Sequence, residues 1–184
     1  VSSAYHPDLP EIGERNIPFS RHLYIEQDDF VLEKPNNKYK RLALNEEVRL
    51  FHTYFIKAYD VIKDQDGNVI EVLATYDENT KSGSGFNERK PNGTIHFVEA
   101  THAQKAVFNF FGPMITGDES LPLEERFNND SWDVKEGFVE DALHQAKPQE
   151  KYQFVRNGYF NVDPSSTKDK LVFNEIVPLK SSYK

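Results

Sequence analysis

Cysteine is absent from this chain, and that one absence removes disulfide scaffolds, cysteine nucleophiles and every thiolate-held zinc or iron–sulfur site. Only His, Asp and Glu are left to hold a metal. Long apolar runs are missing too: no stretch approaches the ~18 residues a membrane-crossing helix needs, and Val1 to Pro10 carries no basic-then-apolar leader. The expectation is a soluble, cytoplasmic protein with no membrane partner. Positive charge is in short supply, with 22 Lys+Arg against 30 Asp+Glu in 184 residues, a formal −8 that does not advertise a nucleic-acid binder. Val1 stands where an initiator Met would, so the sequence reads as a fragment of a longer chain whose catalytic partner is missing.

Aromatic residues are plentiful: 13% of the chain, fourteen Phe and nine Tyr, more than a disordered chain carries and enough to build cores. Length allows one domain or two small ones. Short bulky runs bounded by Pro, Ser and acids, such as Ile17-Pro18-Phe19 and Leu23-Tyr24-Ile25, have the size of strands. The run Val48 to Lys57 continues through Ala58-Tyr59-Asp60-Val61-Ile62 to Asp66-Gly67, which predicts a type I′ hairpin turn with positive φ at both residues. Val69 to Tyr76 is then the return strand. Asp77 to Gly93, rich in Lys, Ser, Gly, Asn and Pro, predicts an exposed loop. Further strands are expected at Thr94 to Val98, Ala106 to Phe111, around Val134 and Phe138-Val139, and at Tyr152 to Arg156, Gly158 to Val162 and Leu171 to Val177. Short helices suit only Leu121 to Arg126 and Glu140 to Ala146. The class is all-β, a barrel or sandwich.

Catalytic signatures are scarce. His6, His22, His52, His96, His102 and His144 fall at no spacing that sets two ligands on one helix face, and no phosphate loop or nucleophile elbow occurs. No catalytic residue and no metal ligand is assigned, and a free-standing hydrolase has no motif behind it. Acid pairs such as Glu124-Glu125 read as solvated surface. Charge is unevenly placed, however: ten acids against three bases between Asp118 and Glu150 give a local −7, nearly the whole net charge. Lys34 to Lys57 holds six bases against two acids, a local +4, interleaved with Tyr39, Phe51, Tyr54 and Phe55. Cations that neutralise phosphates beside rings that stack on bases are the footprint of single-stranded nucleic-acid binding. A basic loop beside core aromatics would look the same.

Specific strings sharpen this reading. Tyr39-Lys40-Arg41-Leu42, Glu47-Val48-Arg49-Leu50, Ala74-Thr75-Tyr76-Asp77, Gly93-Thr94-Ile95-His96-Phe97-Val98 and Tyr152-Gln153-Phe154-x-Arg156-x-Gly158-Tyr159-Phe160 occur in order, with His6-Pro7 and Pro18-Phe19-Ser20 before them and Val172-Phe173-Asn174 after. Together they resemble the C-terminal anticodon-binding region of glutaminyl-tRNA synthetases, from about His6 to Leu179. Glutamyl-tRNA synthetases of the eukaryotic and archaeal type are the nearest competitor, and a non-RNA protein-interaction barrel is the alternative from another class. The resemblance implies two closed six-stranded barrels with exchanged N-terminal strands. Residues 1–41 would supply a swapped strand and a basic loop, 42–100 the first barrel and 101–184 the second, which the strand near Phe19 to Ile25 would join.

The same resemblance implies that Gln153 and Arg156 read the middle anticodon base, Lys40 and Arg41 the third base and nearby phosphates with Lys38 beside them, and Arg49 the first. A Gln amide offers the donor and acceptor that match uracil's pairing edge. Gln153 and Arg156 converge only at a bulge or a strand end, because Gln153 and Val155 share a face. Phe51 stands where the family carries a second Arg, and it either stacks on a base or joins the core. The implied partner is the anticodon loop of tRNA-Gln, bound by a monomer in the same chain as its catalytic domain. ATP and magnesium belong to that missing domain, with no cofactor in this part.

Overall fold

The computed structural model describes residues 1–6, 8–117 and 119–179. Pro7 of the His6-Pro7 string and Asp118 of the acidic stretch lie outside the described residues, as do 180–184. The chain divides into two compact units, Val1–Thr101 and His102–Lys184. Residues 1–41 fall inside the first.

Among the described residues, ten strands build the first unit: β1 (Ser2–Ala4), β2 (Glu14–Asn16), β3 (Leu23–Tyr24), β4 (Phe30–Val31), β5 (Leu42–Ala43), β6 (Glu47–Leu50), β7 (Phe55–Lys63), β8 (Val69–Asp77), β9 (Thr94–Ile95) and β10 (Val98–Glu99). Its main sheet has the order β8-β7-β6-β9, with β6 antiparallel to β7 and parallel to β9. On β6 the inward residues Val48 and Leu50 are buried while Glu47 and Arg49 face the other way, the period-two pattern of a half-buried strand. Val48, Leu50, Ile56 and Ile95 form the core with Leu42 and Phe97. The second unit has β11 (Gln104–Phe111), β12 (Trp132–Val139), β13 (Lys151–Phe154), β14 (Gly158–Val162) and β15 (Leu171–Pro178) in one sheet of order β12-β11-β15-β14-β13. Phe rings fill its core: Phe154 and Phe160 meet edge to face at 5.1 Å, Phe110 meets Phe160 edge on at 5.7 Å, and Phe108 stacks on Phe173 at 5.6 Å. Truncating a buried ring of this kind costs about 3–5 kcal/mol.

The all-β expectation holds, and the helical pieces are 3-10 turns, among them Leu123–Arg126 and Asp141–Gln145. Several details differ from the expected scheme. Among the described residues neither sheet closes on itself: the ladders end on β8 and β9 in one unit and on β12 and β13 in the other. The first unit's strands outside the main sheet are two or three residues long and pair only with one another, too short to carry a ladder around. Among the described residues the N-terminal strands pair within the first unit, β1 with β2, β3 with β10 and β4 with β5. The segment Phe19 to Ile25 stays in the first unit, where β3 pairs with β10 and the Phe19 ring packs against Tyr54, Tyr76 and Phe97.

Val48 to Lys57 is not one strand. His52, at φ +60°, reverses the chain, and the Thr53 hydroxyl closes the turn on the Leu50 carbonyl at 3.1 Å. The hairpin at Asp66-Gly67 is not type I′, since only Gly67 has positive φ. Asp64 organises a longer loop by accepting from the Asp66 and Asn68 amides, and Gly67 takes the left-handed position of a three-residue connection. Nor is 77–93 merely an exposed loop. Thr80 is fully buried, its hydroxyl accepts from the Phe55 amide, and the Phe86 ring covers Phe55 edge on, so the segment roofs the outer side of β6 and β7.

Candidate nucleic-acid interface

The basic segment before β5 is exposed at Lys38 and Lys40 and half-buried at Tyr39 and Arg41. Local hydrogen bonds shape it: the Asn36 side chain accepts from the Lys38 amide at 2.9 Å, an Asx turn, and the Tyr39 amide donates to the Asn36 carbonyl. Arg41 is tethered. Its guanidinium donates to the Asp28 carbonyl at 2.8 Å and lies 3.4 Å from the carboxylate of Asp29, which is fully buried. Lys38 and Lys40 thus carry the outward charge of this stretch, with Arg41 tied down beside them.

Arg49, on the outer face of β6, is built into the fold. Its Nη1 donates to the Thr53 carbonyl at 2.9 Å and the Thr80 carbonyl at 2.8 Å, and its guanidinium sits 4.2 Å from the centre of the Phe55 ring. Burial lowers its pKa, and the side chain stays a cation all the same. Beside it, Arg89 clasps Glu47 with two hydrogen bonds of 2.9 and 2.8 Å and reaches Asp77 at 2.8 Å, which raises the arginine's pKa and holds the Asp77 carboxyl below its usual range. Phe51 follows β6 as a half-buried ring against His52, 4.0 Å between centres, and His96. It is neither a core residue nor fully solvent-exposed.

Gln153 and Arg156 meet the strand-end condition that their spacing demands. β13 stops at Phe154, and Val155, Arg156 and Asn157 form a turn closed by the Asn157 amide donating to the Phe154 carbonyl at 2.9 Å. Arg156 occupies that turn at φ +73°, a conformation that glycine or asparagine usually takes. Gln153 is exposed and lies directly across the ladder from Tyr159, whose ring is 45% exposed. Tyr152 and Phe154 turn the other way into the core. An amide, an exposed ring and a cation are therefore gathered at one hairpin end.

Two family models described as "tRNA synthetases class I (E and Q), anti-codon binding domain" match residues 1–77 and 94–163. The chain belongs to this family. Among relatives, glutamine–tRNA ligase of Clostridioides difficile is 52% identical over 178 residues, 94% of this chain and 32% of the relative. That of Clostridium perfringens is 48% identical over 184 residues, 97% of this chain and 33% of its own, and that of Aliivibrio salmonicida is 42% identical over 187 residues, 100% and 34%. The chain spans about a third of the length of the curated relatives it matches.

Within the anticodon-binding domain, the structure brings Lys38, Lys40 and Arg41 into one segment of the first unit and Gln153 and Arg156 onto one hairpin of the second. Arg49 is held apart from Lys40 by its own structural bonds, although its backbone amide donates to the Gly93 carbonyl, next to the Lys40 main chain. In the second unit's sheet the candidate hairpin includes one edge strand, β13, and the acidic β12, with Asp133 and Glu136 exposed, is the other edge. Among the described residues no group of three or more His, Asp or Glu could hold a metal, and no helix is long and apolar enough to cross a membrane. Two residues of consequence escaped sequence reasoning. Asn92 and Gly93 read as part of a loose Pro-Asn-Gly turn, yet both sit directly against the basic segment.

Proposed function

We propose that this chain is the anticodon-reading part of a glutamine–tRNA ligase, taking the anticodon loop of tRNA-Gln. The observation that carries the site assignment is the hairpin end where Arg156 stands at positive φ beside the exposed Gln153 and Tyr159. On this reading the Gln153 amide accepts from and donates to the pairing edge of the middle uracil, Tyr159 offers a ring face to a splayed base, and Arg156 neutralises a phosphate or binds a carbonyl oxygen. Lys40 and Arg41, with Lys38 beside them, hold the third base and its phosphates. Arg49 contributes to the first position chiefly by fixing the end of β6, where Phe51 presents its ring.

The glutamine assignment over the glutamate one rests on the relatives of 42–52% identity, each named a glutamine–tRNA ligase. The parent enzyme's use of ATP, magnesium and glutamine, its cytoplasmic site and its action as a monomer belong to the same proposal, and this part supplies recognition alone. So does the barrel description: each unit wraps a single apolar cluster, which supports a barrel closed by side chains where the ladders stop. The test compares anticodon stem-loops with a uracil or a substituted base in the middle position. Gln153→Ala should weaken the uracil loop by about tenfold or more and the substituted loop little, a loss of 1–3 kcal/mol in discrimination, while Lys40→Ala should weaken both alike and flatten the salt dependence. Equal losses for both loops with Gln153→Ala would remove that residue from base reading.

A further inference from the structure

The tripeptide Tyr39-Lys40-Arg41 has no regular secondary structure, and Lys40 and the preceding Lys38 are exposed, so something outside the segment must fix where its charges point. Asn92 does this through both ends of its side-chain amide. Its Nδ2 donates to the Tyr39 carbonyl at 3.0 Å and to the Arg41 carbonyl at 2.9 Å, straddling Lys40. Its Oδ1 accepts from Lys34 Nζ at 3.0 Å, and its backbone amide donates to the Glu47 carbonyl on β6 at 2.8 Å. Both donors of the side chain and its carbonyl oxygen are thus engaged.

Gly93 completes the arrangement by leaving room. A Cβ at that position would lie 1.8 Å from the Lys40 carbonyl oxygen and 2.7 Å from its carbonyl carbon, both backbone atoms that no rotamer change can move aside. The next residue, Thr94, opens β9, which pairs with β6, so the Asn92–Gly93 pair is anchored to the main sheet. On the far side Arg41 is held by Asp28 and Asp29.

We propose that Asn92 and Gly93 are positioning residues for RNA recognition, a cradle that presents Lys40 and Arg41 to the phosphates and base of a bound anticodon loop. This rests on the reading that those two side chains contact RNA. Asparagine is required because aspartate, of the same size and still able to pair with Lys34, would face two carbonyl oxygens with no donor. Glycine is required because the Lys40 backbone occupies the space of a side chain.

The experiment is a double-mutant cycle on the 184-residue chain, read by binding to a stem-loop RNA bearing a glutamine anticodon and by amide hydrogen exchange without RNA. Asn92→Asp should speed exchange in the 39–42 segment while β7 and β8 stay protected, and should weaken RNA binding about fivefold or more, the worth of roughly one net hydrogen bond. In a Lys40→Ala/Arg41→Ala background the same change should cost less than about twofold, since the groups it positions are gone. Gly93→Ala should behave alike. Equal losses in both backgrounds, or faster exchange with unchanged RNA binding, would overturn the positioning role. Failure of the unaltered chain to bind the RNA at all would overturn the RNA reading itself, and with it the cradle.

Discussion

At the residue scale the most informative observation is an arginine in a glycine's conformation. A non-glycine residue at φ +73° carries a penalty of about 1–2 kcal/mol, and such positions gather where a side chain is wanted in spite of the backbone. Arg156→Gly therefore separates stability from function. Glycine relieves the backbone cost and adds some unfolded-state entropy, so melting should move by no more than about 1 kcal/mol in either direction. Binding of an anticodon stem-loop should fall by about tenfold, because a charge-assisted contact is lost. A fall in stability beyond that range would make Arg156 a structural residue. At Arg49, two backbone carbonyls and the Phe55 ring hold the guanidinium, so its placement is explained without RNA.

At the scale of elements, the β13–β14 hairpin depends on Gly158 and on what β15 places next to it. A Cβ on Gly158 would come within 2.9 Å of the Val177 carbonyl oxygen and 3.4 Å of Phe160. Gly158→Ala should cost about 1–3 kcal/mol by denaturant unfolding and weaken RNA binding with it, as the strand bearing Gln153 is pushed off register. Glu175, opposite Phe160 on β15, is held with its proton to higher pH than usual by burial, with Lys135 partly opposing. A carboxyl whose pKa is raised by folding loses stability as pH climbs from the ordinary glutamate range through the raised value. Glu175→Gln should accordingly melt higher at pH 7, and the advantage should vanish below about pH 4. A constant difference across that range would contradict the assignment.

Strand identity was largely legible in the sequence because period-two burial, as in Glu47-Val48-Arg49-Leu50, is written directly in residue type. The breaks were not. His52 reverses the chain with neither Gly nor Pro to announce it, and 77–93 looks like solvent-exposed polar loop because the contacts that order it, Thr80 under Phe55 and Arg89 on Glu47 and Asp77, join residues far apart in sequence. Candidate site residues came from the family strings. The strand end between Gln153 and Arg156 was a stated requirement of their spacing, whereas the Asn92–Gly93 cradle depends on a fold-level approach that no local pattern records.

At the scale of the whole molecule, the formal −8 gives a misleading picture of a chain that binds RNA. Within the second unit the exposed acids of β12 lie at one edge of the ladder and the candidate hairpin includes the other. In the first unit Lys38, Lys40 and Arg41 concentrate positive charge on a single segment. Local field, set by which strands the charges ride on, governs the encounter with RNA more than the total does.

The central claim is that this charge and hairpin geometry reads an anticodon. Its most direct test is the affinity of the unaltered chain for two stem-loops that differ only in the middle anticodon base, measured across a salt series. The uracil-centred loop should bind about tenfold tighter, with both affinities falling as salt rises. Equal affinities at every salt concentration, or binding indifferent to salt, would contradict it.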